Sequence, residues 1–478
     1  MLFNSWDFAV FLPLVFLLYW FIARDRLLLQ NMLLLVASYF FYACWDYRFL
    51  SLLLFSSLVN YGAGISIAQA GSPRSRKFWL WFAVGINLGL LAVFKYFDFF
   101  IASFADSLAL LGFKTNPGTL ELLLPIGISF YTFHGLSYVI DLYNNRIKPE
   151  RNIISYALFT SFFPLLVAGP IERATHLLPQ LSRKRIFNYT QAVDGLRQIL
   201  WGLFKKIVIA DNCAPYVNLI FDNADSHSGS TLVLGVFLFA FQIYCDFSGY
   251  SDIAIGTARL FGIDLLRNFA FPYFSRDIPE FWHRWHISLS SWFRDYVYIP
   301  LGGSRAGKWQ TIRNVFIVFV VSGFWHGANW TFVIWGFLHA CYMLPSLIFK
   351  KGSSHSGIVA QDRLLPTLKE LCLMLLTFVL VLFAWIFFRA QSIAAAFDYI
   401  AGIFERSLFT IPDIRPVTVL ILLMLFVLAE WMGRRQQYAI QAVGHAVPVA
   451  IRWAIYYLIV YCIVVYGGSQ QPFIYFDF

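Results

Sequence analysis

The sequence predicts an all-α, polytopic integral membrane protein, because of its composition and the length and continuity of its apolar runs. Of the 478 residues, 59% are hydrophobic and 13% are charged, whereas a soluble domain carries about 25% charged residues. Runs of roughly 20 apolar residues, enough for a helix to cross a hydrocarbon core about 30 Å thick, recur along the chain. They lack the alternation of barrel strands. We expect about 10 to 12 transmembrane helices, with re-entrant or interfacial helices between them.

The distribution of basic residues supports this class and suggests an orientation. The net charge is +10, but the Lys and Arg residues lie in short loops between apolar runs, as the positive-inside rule predicts. We therefore expect membrane lipid as a partner and exclude nucleic acid. The loops at 24–26 and 71–77 carry the larger basic counts, which predicts that they are cytoplasmic and the N-terminus is outside. The opening run has no basic leader and is interpreted as a retained first span.

We interpret residues 1–478 as one membrane domain with three regions. Residues 1–113 supply N-terminal spans, residues 121–348 form a core with the most polar motifs, and residues 352–478 supply C-terminal spans. The predicted spans are 6–23, 27–45, 49–70, 78–113 (two helices interrupted near Lys95 and Asp98), 152–170, 231–247, 330–348, 367–388, 416–432 and 451–467.

Two further segments of the core differ from simple spans. Residues 121–140 contain Pro125 and Gly127 and end in polar residues, which indicates a helix that faces protein or a cavity. Residues 194–210 are amphipathic and basic, so an interfacial helix is as well supported as a span.

Polar and titratable residues concentrate in FWHRWHISLSSWFRDYVYIPLGGSR and in VVSGFWHGANW, between Phe281 and Trp330. Asp277, followed by proline and then by Glu280, is a helix-start signal. It predicts a helix over residues 279–298. One face of that helix would carry Arg284, Ser288, Ser291 and Asp295. Such a helix either lines a cavity or anchors the chain in the interface with a solvated charged face.

The histidines in the first motif do not predict a metal site. His283 and His286 lie three residues apart, with Glu280 one turn earlier. A protein zinc site takes three or four protein ligands, and nothing nearby supplies the rest. The six cysteines contain no CxxC pair and no zinc spacing with histidine. We therefore predict no metal ion.

His326 is the strongest candidate for chemistry. It lies in an apolar run too long for one untilted span, and Gly323, Gly327 and Asn329 predict a break beside it. An ionisable residue at such a place is by default a functional candidate, although a histidine bonded to a neighbouring helix would give the same pattern. His339 is a weaker candidate. Burial favours the neutral imidazole, which as a general base typically accelerates a reaction about 10² to 10⁴-fold.

Serine-hydrolase, P-loop and dinucleotide motifs are absent from the sequence. The motifs around both histidines instead resemble those of the membrane-bound O-acyltransferase (MBOAT) family in its bacterial branch. The similar segments are FWHRWHISLSSWFRDYVYIPLGG, SGFWHGANWTFVIWG, QIYCDFSGYSDIAIG, VAGPIERATHLLPQL, MLFNSWDFAVFLPLV and PFIYFDF. Length and both ends most resemble the alginate O-acetyltransferase type.

The resemblance implies a helical core around a central tunnel, with an acyl donor arriving from the cytoplasm and the acceptor on the other face. It implies that His326 is the catalytic histidine and that His286 lies on the donor side of the tunnel. The supporting residues that it implies are Arg284, Ser288, Asp295 and Asn329. The donor would be acetyl-CoA or an acyl carrier, with no bound cofactor. Relatives often carry arginine in place of His283.

The sequence therefore favours a bacterial inner-membrane O-acyltransferase that moves acetyl groups onto an exported, alginate-like polysaccharide. The acceptor is either the polysaccharide itself or a periplasmic acetyltransferase partner. Two alternatives stay open: transfer of D-alanine or another acyl group from a carrier protein to a teichoic-acid-like acceptor, and a non-enzymatic transporter or export channel. A transporter would favour inverted repeats with paired broken helices, which the sequence does not display.

Overall fold

The computed structural model describes residues 1–24, 26–113, 118, 120, 122–305, 307–349, 357–468 and 471–476. Every regular element within these ranges is helical, which confirms the predicted all-α class. Among the described residues, five apolar stretches are long enough to cross a membrane, and five shorter apolar helices accompany them. Two of the long stretches, Leu27–Gln69 and Pro73–Leu110, contain 43 and 38 residues, about twice what one crossing needs.

The chain forms two compact units. The first comprises Met1–Gly195 and Thr257–Leu266, and the second comprises Leu196–Gly256 and Arg267–Phe478. The helices that begin in the first unit are α1 (Trp6–Leu17), α2 (Leu27–Gln69), α3 (Pro73–Leu91), α4 (Phe97–Leu110), α5 (Ile128–Tyr143), α6 (Ile153–Ser161), α7 (Phe163–Leu166), α8 (Ala174–Leu181) and α9 (Tyr189–Leu203). Those that begin in the second are α10 (Asp211–Asp222), α11 (Gly229–Leu260), α12 (Ile278–Arg284), α13 (Ile287–Phe293), α14 (Lys308–His326), α15 (Trp330–Ile348), α16 (Leu368–Arg389), α17 (Ile393–Ile403), α18 (Val417–Gly433), α19 (Val443–Ala446) and α20 (Val449–Val465).

Short polar side chains determine where several helices begin. Ser72 and Asn152 accept hydrogen bonds from backbone N–H groups in the first turns of α3 and α6. Thr367 and Glu370 form a reciprocal capping box at the start of α16. These contacts satisfy backbone donors that the first turn of a helix leaves without an internal partner.

Breaks inside the apolar runs of the first unit fall where the sequence predicts them. Helix α2 is interrupted at Asp46, whose backbone is extended (φ −155°, ψ 111°), between the predicted spans 27–45 and 49–70. A π-helical turn, Ala92–Tyr96, separates α3 from α4 and contains Lys95. The long runs are therefore paired helices joined at polar residues.

Helix α5 packs into the interior of the first unit. It begins after Gly127, whose φ of +74° lies in the left-handed region that glycine adopts readily. All but one of its residues between Ile128 and Leu142 are buried. Beside it, the side-chain amides of Asn60 and Asn87 exchange hydrogen bonds of 3.2 and 2.8 Å. These contacts confirm that the polar, Pro/Gly-broken segment faces protein over its described residues.

Candidate active site

A helical hairpin in the second unit carries His326. Helix α14 ends at His326, and α15 begins at Trp330 after a short turn. The side chain of Asn329 caps α15 by accepting a 3.0 Å hydrogen bond from the backbone N–H of Thr331. The predicted break is confirmed, and it leaves His326 only 2% exposed at the end of its helix.

Glycines bring the two helices of the hairpin into backbone contact. A side chain at Gly323 would collide with the carbonyl oxygen of Phe332, and one at Gly336 would collide with that of Phe319. A side chain at Gly327 would collide with the Phe332 ring. These contacts leave no room for even a methyl group. The tight packing of α14 against α15 therefore fixes the position of His326 at the end of α14.

The predicted continuous helix over residues 279–298 is wrong. The chain instead forms α12 and α13, separated at Trp285 and His286, and His286 has left-handed backbone angles (φ +42°, ψ +53°). The side chains of Trp285 and His286 at this break are both buried, with exposures of 1% and 0%. Backbone hydrogen bonds from Ile287 to Asn268 and from Ala270 to Arg284, both 2.9 Å, stabilise the break.

The break also separates the residues predicted to share one helical face. Arg284 lies in α12, Ser288 and Ser291 lie in α13, and Asp295 lies in the π-helical turn Arg294–Tyr298. The predicted shared face is therefore also wrong.

The structure brings His326 and His286 together. Their ring centroids are 6.4 Å apart, and the Trp325 ring lies 4.9 Å from the first and 6.2 Å from the second. We call the surrounding group the histidine pocket; its other rings are Trp335, Phe388 and Tyr475 around His326, at 5.1, 5.4 and 5.6 Å, and Phe247 at 4.7 Å from His286. Neither ring nitrogen of His286 has a hydrogen-bond partner among the described residues.

A polar cavity of about 590 Å³ adjoins the pocket. Phe388 belongs to its wall and also contacts the His326 ring, and Asn329 lines it from the turn after His326. The other polar side chains of the wall are Asn218, Asp222, Gln242, Arg389, Gln391 and Gln471. A cavity of this size and polarity can admit a small polar group beside the histidine.

Arg284, one of the predicted supporting residues, belongs to a separate site. It donates a 2.7 Å hydrogen bond to Glu280, which is 3% exposed and also pairs with Arg276 at 3.0 Å. Glu370 lies 3.5 Å from Arg276. We call these four residues the ion cluster. The remaining hydrogen bonds of Arg284 go to backbone carbonyls, so it holds structure and is not placed against either histidine.

The other predicted supporting residues have local roles. Ser288 donates to Asn268, whose amide donates in turn to Ser251, and these bonds of 2.5 and 2.8 Å tie α13 in place just after His286. Asp295 pairs with its neighbour Arg294 at 2.8 Å. Asn329 donates a 3.0 Å bond to the carbonyl of Gln391 on the cavity wall.

The two histidines considered as a metal pair lie in different surroundings. His283 is exposed, and its Nδ1 bonds to the Pro279 carbonyl at 2.6 Å, whereas His286 is fully buried. No group of three or more His, Cys, Asp or Glu side chains converges within the described part of the chain.

Buried polar residues that were not among the predicted site residues also lie in the second unit. Lys205 pairs with Asp252 at 2.6 Å, and Glu430 accepts a 2.6 Å hydrogen bond from Tyr244. A carboxylate inside an apolar run is a recognisable signal, and Glu430 lies within the predicted span 416–432. The approach of Tyr475 to His326 has no comparable local signal, because the two residues are far apart in sequence.

Two buried histidines beside a polar cavity, inside a helical membrane protein, define a membrane enzyme with a candidate general base. The family model described as "MBOAT, membrane-bound O-acyltransferase family" matches residues 145–387, which include both histidines. The chain belongs to this family and is a multi-pass membrane O-acyltransferase.

Three relatives indicate the range of acceptors. The probable alginate O-acetylase AlgI of Azotobacter vinelandii is 38% identical over 92% of this chain and 86% of its own length. The peptidoglycan O-acetyltransferase of Helicobacter pylori is 37% identical over 84% of this chain and 79% of its own. A teichoic acid D-alanyltransferase of Streptococcus thermophilus is 33% identical over 50% of this chain and 62% of its own.

Proposed function

We propose that this enzyme moves acetyl groups from a cytoplasmic donor across the bacterial inner membrane for O-acetylation of an exported, alginate-like polysaccharide, with His326 as the general base. The observation that carries the proposal is the meeting of His326 and His286 in one pocket beside a polar cavity. The donor is acetyl-CoA or an acyl carrier. The acceptor is the polysaccharide or a periplasmic acetyltransferase that completes the transfer.

The direction of the helices supports an acceptor on the outer side. Helix α14 starts just after Arg305, and the sequence that follows α15 is basic, with Lys351 and Arg363. Under the positive-inside rule both basic segments are cytoplasmic, so the turn after His326 lies toward the opposite face. The basic loops of the first unit separately favour an extracytoplasmic N-terminus.

The chemistry is acyl transfer assisted by a base. The neutral imidazole of His326 takes the proton of an acceptor hydroxyl while the oxygen attacks the thioester carbonyl of the donor. The carbon–sulfur bond then breaks, the new ester carries the acyl group, and the departing thiolate takes the proton back from the imidazolium. His286, buried beside His326, lies where the acyl group passes between donor and acceptor.

The comparisons favour acetyl transfer over the alternatives. The alginate O-acetylase and the peptidoglycan O-acetyltransferase named above align with 92% and 84% of this chain, whereas the named D-alanyltransferase aligns with half of it. Membership of an acyltransferase family favours an enzyme over a transporter.

The test compares the ester-linked acetyl content of exported polysaccharide in cells that carry the wild type, His326→Ala or His283→Ala at matched membrane levels. His283 is an exposed histidine of the same motif, so its substitution controls for the loss of an imidazole alone. Loss of acetyl only with His326→Ala supports the proposal. Normal acetyl content with His326→Ala contradicts it, and released D-alanine in the same samples would support the carrier-protein alternative.

A further inference from the structure

The segment formed by residues 471–476, which we call the tail segment, reaches into the histidine pocket. The Tyr475 ring lies 5.6 Å from His326 and 4.8 Å from Phe247. Gln471, Pro472 and Ile474 belong to the wall of the neighbouring cavity. One short segment therefore borders both the candidate base and the space beside it.

Three buried charged residues contact the backbone of this segment. Lys206 lies 2.8 Å from both Asp211 and Asp246, and the three side chains are 1%, 8% and 3% exposed. Lys206 also donates hydrogen bonds to the carbonyls of Gln471 and Pro472, at 3.0 and 3.5 Å.

From the other direction, the backbone N–H of Ile474 donates a 2.8 Å bond to Asp246. The Phe473 ring packs 4.7 Å from Tyr250, the ring over which the Lys206 ammonium lies at 5.3 Å. Charge, backbone and ring contacts thus hold the same four consecutive residues.

The energetics of Lys206, Asp211 and Asp246 indicate that these residues fix the position of the tail segment more than they stabilise the fold. Removing charges from water is unfavourable, so a buried ion pair often contributes little more to stability than apolar groups of equal volume. Here the charged side chains exchange hydrogen bonds with backbone groups of Gln471, Pro472 and Ile474, which precede or begin the short 3₁₀ helix Ile474–Phe476. An apolar substitute could not provide these hydrogen bonds.

We propose that Lys206, Asp211 and Asp246 are positioning residues that hold the tail segment so that Tyr475 forms a wall of the pocket at His326. This inference rests on the proposed role of His326. Loosening the segment would open the pocket to the cavity and displace the surface against which the acyl group is presented.

The test follows the segment in the purified protein and the reaction in membranes that contain it. Limited digestion with proteinase K, read by intact mass, reports how readily the chain is trimmed within residues 471–476, and acetyl transfer in membranes reports activity. We expect Asp246→Ala to speed trimming at least tenfold and to lower transfer at least tenfold. Asp246→Asn keeps an oxygen that accepts from Ile474, so it should recover part of both. Glu280→Gln, another buried carboxylate that lacks contact with the segment, should leave trimming unchanged.

Phe473→Ala loosens the same segment without unbalancing a buried charge, so it replaces Asp246→Ala if that variant does not fold. Unchanged trimming in both variants overturns the inference, and so does faster trimming with full acetyl transfer. His326→Ala distinguishes the two proposals, because it should abolish transfer while leaving the tail segment protected. Retained transfer in His326→Ala would defeat the proposed function, and trimming in the Asp246 variants would still test how the segment is held.

Discussion

Arg284 and His286 are two residues apart in one motif, yet they belong to regions with opposite physical characters. Arg284 lies in the ion cluster, where each buried charge faces another within hydrogen-bond distance. His286 lies in the histidine pocket, among aromatic rings, with no hydrogen-bond partner to its ring nitrogens in the described structure. The helix break between them turns one side chain toward each region.

Under the proposed function, this single motif serves structure through Arg284 and chemistry through His286. A buried charge network resists change, because removing one partner leaves an uncompensated charge. Neutral rings impose no such demand, and a histidine among them can gain and lose a proton within the reaction. We therefore expect substitutions in the ion cluster to affect stability and those in the pocket to affect rate.

The largest effect should come from His326→Gln. Without a general base, the rate of acyl transfer should fall about 10² to 10⁴-fold, while the thermal midpoint in detergent stays near that of the wild type. Single-turnover transfer from a radiolabelled donor, at equal amounts of folded protein, measures the rate. A variant that loses stability and rate together would place His326 with the structural residues.

Glu280→Ala should reverse that pattern. It leaves the buried Arg276 and the partly buried Arg284 without the Glu280 carboxylate, which costs about 3 kcal/mol of stability, while transfer per folded molecule stays close to the wild type. Denaturant unfolding in detergent gives the stability, and Glu280→Gln, which keeps some hydrogen bonds, should lose less. Normal stability with a large loss of rate would break the distinction between the regions.

Gly323→Ala should have an intermediate effect, because its methyl group meets a backbone carbonyl that cannot move aside. Overpacking of this kind costs about 1 to 3 kcal/mol. Gly89→Ala is the matched control, since it lies in helix α3 with nothing within 4 Å of the added methyl group. The control should change stability by about 1 kcal/mol or less, in the stabilising direction. Equal changes of stability in both variants would show that α14 and α15 can move apart without loss of stability.

The smallest effect concerns a histidine outside both regions. In helix α8, a 2.7 Å hydrogen bond to Glu172 raises the pKa of His176 above its ordinary value. A raised pKa in the folded state stabilises the protein below the unfolded pKa of about 6.5 and ceases to do so as pH rises through the folded value. The wild type should therefore exceed His176→Gln in thermal midpoint at low pH, and the gap should close as pH rises. A gap that widens with pH would contradict this pairing.

The fold class was predictable because it depends on local composition. The breaks at Asp46 and after His326 were predictable for a similar reason, since polar residues and glycines interrupt the apolar runs there. The break at His286 was not, because the capping signal at Asp277 and the periodicity that follows it are both compatible with one helix. It is stabilised by residues 268–270, which only the folded chain brings near.

The candidate site, like the fold, was predictable from the sequence only in part. His326 stands out in the sequence as an ionisable residue in an apolar run, and its proposed role came from family resemblance. Two of its neighbours, Tyr475 and Phe388, could not be predicted, since they are far from it along the chain. Arg284 looked like a partner because a helical repeat placed it on a shared face, which the break removed.

The glycine contacts of the α14–α15 hairpin also bear on how such enzymes diversify. Helices packed backbone to backbone cannot slide past each other, so His326 is held in place, and under the proposed function the substrate has to reach it. A change of substrate must then be accommodated elsewhere in the wall of the polar cavity, for example by Asn218 and Asp222 on α10 or by Arg389 on α16. Substrate range can therefore drift while the chemical centre stays the same.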